Sequence, residues 1–127
     1  MPRFLKPLEG PISEGFRILT GLLFLQHGLQ KIFGLFGGSH PADPLLWAAG
    51  FIELLGGGLV AAGLFTRWAA FFASGAMAIA YFLVHAPKGF WPIENHGELA
   101  ALYCWAFLLI AARGPGPWSL DALLRRR

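Results

Sequence analysis

Four long apolar blocks, separated by short polar segments, dominate the chain. They cover about residues 14–34, 44–65, 67–85 and 96–113. A membrane-spanning helix needs roughly 20 mostly apolar residues, and each block comes close to that length. Helices of a soluble bundle would instead show a charged stripe along one face. The pattern therefore predicts an all-α polytopic membrane protein, with one antiparallel four-helix transmembrane bundle as a single domain over residues 1–127.

Residues typical of helix ends mark the edges of these blocks. Ser13 is the predicted N-cap of the first helix, and Asp43 before Pro44 is the predicted start of the second. Thr66 is the predicted cap of the third helix. The run of glycine and proline at 114–117 is expected to stop the fourth.

A short amphipathic segment follows the fourth block. Over residues 119–127, three leucines share one helical face and three arginines end the segment. This pattern predicts a short C-terminal helix that lies in the membrane interface.

The composition supports the membrane interpretation. Hydrophobic residues make up 56% of the chain and charged residues 13%, whereas soluble domains carry about 25% charged residues. The net charge of +3 is too small to indicate a nucleic-acid partner. The single cysteine, Cys104, excludes an intramolecular disulfide and a paired-thiol redox motif. The first apolar block is too long for a signal peptide and follows acidic residues, so we expect no cleavable signal.

The distribution of basic residues predicts the orientation. Four spans would place both termini and the turn at 65–68 on one side of the membrane, and the loops near 35–43 and 86–95 on the other. One side then carries Lys31 and Lys88. The opposite side carries eight basic residues, namely Arg3, Lys6, Arg17, Arg67, Arg113, Arg125, Arg126 and Arg127. Basic residues concentrate on the cytoplasmic side, which predicts a bacterial inner-membrane protein with both termini in the cytoplasm.

Polar residues inside the spans are the main functional signal. Ionisable groups within a membrane are costly and mark functional sites by default. The predicted topology brings polar residues of all four helices to the outer leaflet. The predicted ligand or proton site consists of His27, Gln30, Lys31, Glu53, Tyr81, His85 and Glu98.

Glu53 is the most deeply placed member of this set, about 14 Å from the outer end of its helix. Its helical face also carries Gly50 and Gly57, so it is expected to point into a tight helix contact. An unpaired carboxylate at that depth would be protonated or would draw in water, so we predict an ion pair with His27 or Lys31. The alternative is a buried polar network that only fixes the helix register.

Several ligands can be weighed against this set. A bis-histidine haem would need His27 and His85 at one depth, and a metal site would need a ligand spacing that the sequence lacks, so we expect neither haem nor metal. A quinone head group would need a slot near one interface, hydrogen-bond donors for two carbonyls and a proton path. The predicted cluster offers donors, and Glu53 or Glu98 could take protons.

Three segments resemble the DoxX family of membrane proteins. They are Arg17–Gly34, the pair Glu53–Gly58 and Gly63–Arg67, and the run Gly-Pro-Gly-Pro-Trp-Ser-Leu-Asp at 114–121. The resemblance implies a four-helix integral membrane protein. Some relatives are associated with quinone-linked oxidation, including a small subunit of thiosulfate:quinone oxidoreductase and terminal-oxidase-linked complexes. By resemblance the motif positions are Arg17, His27, Gly28, Lys31, Glu53, Gly57, Gly114, Pro115, Ser119, Leu120 and Asp121.

The last of these segments also has a local explanation. Gly-Pro-Gly ends a helix, and Ser119 and Asp121 are expected to cap the turn that follows.

Three functional hypotheses follow. The first is a membrane subunit of a quinone-linked oxidoreductase, with the outer-leaflet cluster in contact with the quinone head group. The second is a non-catalytic membrane anchor or assembly partner of a redox enzyme. The third, small-solute or metal-ion binding or transport, ranks last because four short helices leave little room for alternating access. The expected partners are the lipid bilayer and a redox-enzyme subunit; nucleic acid is not expected, and a homo-oligomer is compatible with the sequence. No catalytic residue is assigned.

Overall fold

The computed structural model describes residues 3–125, and every regular element in that range is helical. The all-α prediction is therefore confirmed. The helices are α1 (Glu9–Phe33), α2 (Pro44–Ala62), α3 (Thr66–Ala80), α4 (Pro92–Asn95), α5 (Glu98–Arg113) and α6 (Leu120–Arg125), with a 3₁₀ helix at Arg3–Leu8 before α1 and a π-helical turn at Tyr81–His85 and a 3₁₀ turn at Ala86–Lys88 after α3.

The long helices pack in pairs. α1 runs along α2, α3 runs along α5, and α2 also meets α3. The centre is formed by Phe24, Val60 and Phe107, whose exposed fractions are 1% or less. Phe24 and Phe107 meet edge to face with ring centroids 4.7 Å apart. Small alanines on α3, among them Ala70 and Ala73, are buried beside them and leave room for the aromatic side chains of α5.

Glycines set the spacing between α1 and α2. A Cβ atom added at Gly21 or Gly28 would lie 2.5 Å from a backbone nitrogen of α2, and one added at Gly57 would lie 2.5 Å from a backbone nitrogen of α1. No side chain fits at these positions, so the two backbones are in direct contact. Gly58 and Gly75, by contrast, face open space. Only some of the small residues in the apolar blocks therefore serve helix packing.

The outer surface of the long helices is strongly apolar. Large side chains such as Leu55, Phe72 and Trp105 are more than 60% exposed. Two helices, Pro44–Ala62 and Thr66–Lys88, are long and apolar enough to cross a membrane, with mean hydropathies of 1.8 and 1.6. Such a surface suits contact with lipid better than contact with water.

The helix starts agree with the sequence prediction in one case and differ in two. Asp43 caps α2 as predicted, since its Oδ1 accepts a hydrogen bond from the Leu45 N–H at 2.9 Å. α1, however, begins at Glu9, so Ser13 lies inside the helix and is not its cap. Pro11 lies in the first turn of α1, where proline is tolerated because its missing N–H has no partner to lose.

The start of α3 is capped from a distance. Thr66 is the first residue of α3 rather than its cap, and Phe65 before it adopts a left-handed conformation with φ of 49°. The Asp121 carboxylate accepts hydrogen bonds from the N–H groups of Phe65 and Thr66, each at 2.9 Å, and from the Thr66 hydroxyl at 2.7 Å. Ser119 does cap the turn that follows it, because its Oγ accepts from the Ala122 N–H at 3.1 Å. Asp121 therefore caps a different helix from the one expected.

A buried ion pair fastens the segment after α5 to the beginning of α1. The Arg17 guanidinium donates to the carbonyl oxygens of Val60, Ala61 and Trp118 at 2.7–2.9 Å and to Glu14 Oε2 at 3.1 Å. Glu14 Oε2 also accepts from the Trp118 N–H at 3.0 Å. We call Glu14, Arg17 and Trp118 the C-terminal clasp. Glu14 and Arg17 are 3% and 2% exposed, so this pair is part of the interior.

The end of the C-terminal helix is only partly described. α6 spans Leu120–Arg125, which agrees with a short helix after the glycine-proline run. Arg126 and Arg127, the last two residues of the predicted basic end, lie outside the described residues.

Candidate functional site

A cavity of about 390 Å³ lies at the end of the molecule opposite the C-terminal clasp. Its volume is within the range of small-molecule sites. Polar side chains from several elements line it, namely His27 and Lys31 of α1, Glu53 of α2, His85 of the π-helical turn, His96, and Tyr103 of α5. The remaining lining is apolar.

An ion pair between α1 and α2 forms one wall. Lys31 Nζ donates to Glu53 Oε1 at 2.5 Å, so Glu53 has one of the two partners that the sequence predicts. The Glu53 side chain is 5% exposed and that of Lys31 is 29% exposed. Gly50 and Gly57 lie three residues before and four residues after Glu53, on the same helical face. The close approach of α1 at these glycines is what brings Lys31 within reach.

Glu53 is only half satisfied by this pair. Its Oε2 is buried and has no hydrogen-bond partner within residues 3–125. Buried polar atoms are normally hydrogen-bonded, and one left unpaired costs about 1–3 kcal/mol. Because Oε2 itself is not accessible, a ligand in the cavity would contact it after a rotation of the Glu53 carboxylate.

His27 lies one helical turn before Lys31, on the same face of α1. Its ring meets Tyr103 edge to face, with centroids 6.1 Å apart and an interplanar angle of 88°. This contact joins the α1 wall of the cavity to the α5 wall.

His85 is held by the loop before α5. Its Nδ1 lies 3.0 Å from the Asn95 carbonyl oxygen. Because a carbonyl only accepts, Nδ1 carries the proton, and Nε2 of the neutral ring remains an acceptor. Asn95 is fully buried, and its side chain bonds Gly89 O at 2.9 Å and the Gly97 N–H at 2.8 Å. The loop thus fixes the orientation of His85.

Three predicted site residues do not line the cavity. The Gln30 amide donates to Phe36 O at 3.5 Å in the loop after α1. The Tyr81 hydroxyl accepts from Asn95 Nδ2 at 3.3 Å and so supports the loop. Glu98 is exposed on the face of α5 that also carries Leu102, away from the packed face. His27, Lys31, Glu53 and His85 are the predicted residues that the structure brings together.

Two lining residues, His96 and Tyr103, were not in the predicted site. His96 lies before α5, has a left-handed conformation with φ of 61°, and is exposed. Tyr103 lies on a face of α5 that also carries Ala100 and Phe107, at spacings of three and four residues. That face is the one buried against α3 and α1. The spacing of these residues in the sequence indicates which face of α5 is buried, whereas Glu98, which was included in the predicted site, lies on an exposed face.

The cavity is bordered by exposed apolar side chains. They come mainly from α2, α3 and the π-helical turn, and comprise Leu45, Leu46, Ile52, Ile79, Leu83, Val84 and Leu99. A few polar groups within an otherwise apolar lining are typical of sites for small organic molecules. Within residues 3–125, no three side chains of the metal-ligating types His, Cys, Asp and Glu are grouped closely enough to hold a metal ion.

Comparisons with known proteins give a consistent result. The DoxX family model matches residues 15–86. An uncharacterized protein of Haemophilus influenzae is 45% identical over 83% of this chain and 84% of its own length. An uncharacterized membrane protein of Mycobacterium tuberculosis is 34% identical over 99% of this chain and 89% of its own length. The inner membrane protein YqjF of Escherichia coli is 32% identical over 87% and 90%, respectively. No solved structure matches significantly.

Proposed function

This chain is a membrane protein of the DoxX family, and on that premise we propose that it crosses the bacterial inner membrane four times, through α1, α2, α3 and α5. Its apolar exterior supports this arrangement. The 25 residues of α1 would span roughly 37 Å, more than the roughly 30 Å of a bilayer core. α3 and α5 are shorter, with 15 and 16 residues, but α3 continues through the π-helical and 3₁₀ turns, so that Thr66–Lys88 covers 23 residues.

The same proposal places both termini in the cytoplasm. Most basic residues lie at the end of the C-terminal clasp, and the cavity lies at the other end. The positive-inside rule then puts the clasp on the cytoplasmic side and the cavity in the outer leaflet.

The proposed function is that of a membrane subunit of a quinone-linked oxidoreductase system, with the cavity as the site for the quinone head group. The observation that carries the proposal is a largely apolar cavity whose wall carries the Lys31–Glu53 ion pair together with His27 and Tyr103. A bound quinone would supply the capacity to take up two electrons and two protons. His27, Lys31 and Tyr103 are placed to donate hydrogen bonds to its oxygens, while Glu53 and His85 are placed to exchange protons.

The apolar border of the cavity fits the remaining part of such a ligand. A quinone carries a hydrocarbon tail, and the side chains around the cavity are exposed leucine, isoleucine and valine. These side chains belong to faces that contact lipid in the proposed topology. The ligand could therefore enter from the bilayer without crossing water.

One observation favours the second hypothesis, a non-catalytic anchor or assembly partner. Lys31 already pairs with Glu53 inside the chain. A buried ion pair of this kind can fix helix register without any ligand. This alternative is therefore tested in the same experiment.

The test is thermal unfolding of the purified protein in detergent micelles, with and without short-chain ubiquinone and menaquinone analogues. Binding to the folded state stabilises it by about 2.7 kcal/mol at a ligand concentration 100 times Kd. With each analogue in its oxidised and its reduced form, we expect a raised unfolding temperature for the wild type, no shift for His27→Ala, and no shift by the reduced form for Glu53→Ala. Glu98→Ala is the matched control, because it removes an exposed carboxylate near the same end of the molecule but outside the cavity.

The result also separates the two hypotheses. If none of the analogues shifts the wild type, the quinone site is refuted. Recovery of a redox enzyme with the tagged protein, with an activity insensitive to Glu53→Gln, would then establish the anchor function.

A further inference from the structure

The hydrogen-bonding capacity of the cavity is unbalanced. Paired with the Lys31 ammonium, Glu53 is a carboxylate, and a carboxylate accepts hydrogen bonds but cannot donate them. Its Oε1 is used by Lys31, and its Oε2 is buried without a donor within residues 3–125. Beside the cavity there is therefore an acceptor that has no donor among the described residues and that a ligand with a donor group would satisfy.

His85 offers a second acceptor. Its Nδ1 proton is engaged by the Asn95 carbonyl, so Nε2 of the neutral imidazole can only accept. His85 and Glu53 lie on different elements and line the same cavity.

The donors of the cavity, His27, Lys31 and Tyr103, do not discriminate between the two redox forms, because a quinol hydroxyl oxygen accepts hydrogen bonds as a quinone carbonyl oxygen does. Lys31 has further N–H groups, but its side chain is 29% exposed, so these can reach solvent or headgroups. When the cavity is empty or holds a ligand without donors, the Lys31 ammonium can still be hydrated. Under the same conditions Glu53 Oε2 stays desolvated and without a donor.

We infer that the cavity binds the reduced quinol in preference to the oxidised quinone, with a quinol hydroxyl donating to Glu53 Oε2. This inference rests on the proposed function and specifies the redox state that the site recognises. A quinone presents two carbonyl oxygens, which only accept, so one placed beside Glu53 would leave its Oε2 unpaired. A quinol presents two hydroxyl groups, which donate and match the acceptors of Glu53 and His85.

The test compares three ligands that share one ring and one short tail. They are a ubiquinone analogue, its reduced quinol kept under anaerobic conditions, and the quinol dimethyl ether, which has the oxygens but no donors. Binding to the purified wild-type protein is measured by calorimetric titration. We expect the quinol to bind about tenfold more tightly than the quinone, and the dimethyl ether to bind as weakly as the quinone.

A variant reverses the hydrogen-bonding sense of the site. Glu53→Gln has nearly the same shape but replaces one oxygen by an NH₂ group, which donates. We expect it to lose the preference for the quinol and to bind the quinone at least as tightly. Glu98→Gln, the same substitution outside the cavity, should keep the wild-type preference.

The outcomes are distinct. Equal binding of quinol and quinone, tighter binding of the quinone, or binding of the dimethyl ether as tight as that of the quinol would overturn the inference while the quinone-linked site stands. Binding of none of the three ligands would refute the site itself. If Glu53→Gln does not fold, the comparison of the three ligands on the wild type still decides the matter.

Discussion

Arg17 illustrates how one side chain can bind several distant parts of the chain. Its guanidinium contacts the carbonyls that end α2, the carbonyl of Trp118, and Glu14 on its own helix. A planar group with five N–H donors is suited to such a convergence of acceptors. The charge is neutralised by Glu14 and both terminal nitrogens donate hydrogen bonds, which makes burial of an arginine acceptable, although its Nε is buried without a partner within residues 3–125.

Replacement of Arg17 by lysine should therefore be strongly destabilising. Lysine keeps the charge but cannot reproduce the fork, so buried carbonyl oxygens lose their donors at a cost of about 1–3 kcal/mol each. Arg113→Lys is the control, since Arg113 pairs with Glu9 on the surface, at 3.2 Å with both side chains about half exposed. Exposed pairs contribute about 0–1 kcal/mol. Thermal unfolding should show a large loss for the first variant only; similar losses for both would contradict the buried role.

Asp121 makes a second prediction at this scale. Burial raises the pKa of its carboxyl, but hydrogen bonds from Thr66 and Phe65 and the charge of Arg125 outweigh burial and hold the pKa below its usual value of 3.8. A folded-state pKa below the unfolded value means stability that is fully present above the unfolded pKa and lost as the pH falls through the folded one.

Asp121→Asn removes this pH-dependent contribution. Unfolding temperatures of wild type and variant should differ most near neutral pH, and the difference should shrink below about pH 4. A difference that stays constant down to the acid limit would show that Asp121 does not act as a carboxylate cap.

At the scale of elements, the contact between α1 and α2 governs the site. Gly21, Gly28 and Gly57 allow the two backbones to touch, and this contact brings Lys31 to Glu53. Any side chain that separates the helices also separates the ion pair. Packing and site geometry are thus one feature of the same interface.

Gly28→Ala tests this coupling. Its Cβ would lie 2.5 Å from a backbone nitrogen of α2, so the helices must move apart, at about 1–3 kcal/mol for overpacking. Gly58→Ala is the matched control on α2, because its Cβ meets open space and alanine favours a helix by about 1 kcal/mol over glycine. Unfolding temperatures should fall for the first variant and stay unchanged or rise for the second. A neutral Gly28→Ala would disprove the close contact.

For the whole molecule, the two ends have different roles. One end is closed by the C-terminal clasp and by Asp121, and the other contains the cavity. In the proposed topology the closed end faces the cytoplasm, and the open end faces the periplasm.

Single cysteines test this orientation. In a Cys104→Ser background, Ser39→Cys lies in the loop between α1 and α2, and Arg125→Cys lies in α6; both positions are exposed. A membrane-impermeant maleimide applied to intact spheroplasts should label Ser39→Cys at once and Arg125→Cys only after permeabilisation. The reverse labelling pattern would invert the topology, and labelling of both from outside would contradict four spans.

The sequence predicted the features that depend on local chemistry. Asp43 capped its own helix, Gly114 ended α5, and the depth of Glu53 required a basic partner. It did not predict features that depend on which distant segments meet. Arginine and aspartate usually lie on protein surfaces, so the residue types of Arg17 and Asp121 do not indicate burial or capping. The groups with which they form hydrogen bonds lie on segments far away in the sequence.

The choice between the faces of α5 had a similar cause. Glu98 is the more conspicuous residue, but the packing partner of the helix decides which face turns inward. That partner is α3, and it selects the face of Tyr103 and Phe107.

The distant cap of α3 also has a consequence for biosynthesis. Phe65 and Thr66 are synthesised 56 and 55 residues before Asp121, whose carboxylate accepts hydrogen bonds from their N–H groups. While α5 is being synthesised, the turn between α2 and α3 therefore lacks the hydrogen bonds to Asp121 that cap α3. Chains that stop before residue 121 would keep that turn uncapped, and in the proposed topology this would give cytoplasmic proteases a way to distinguish truncated chains from complete ones.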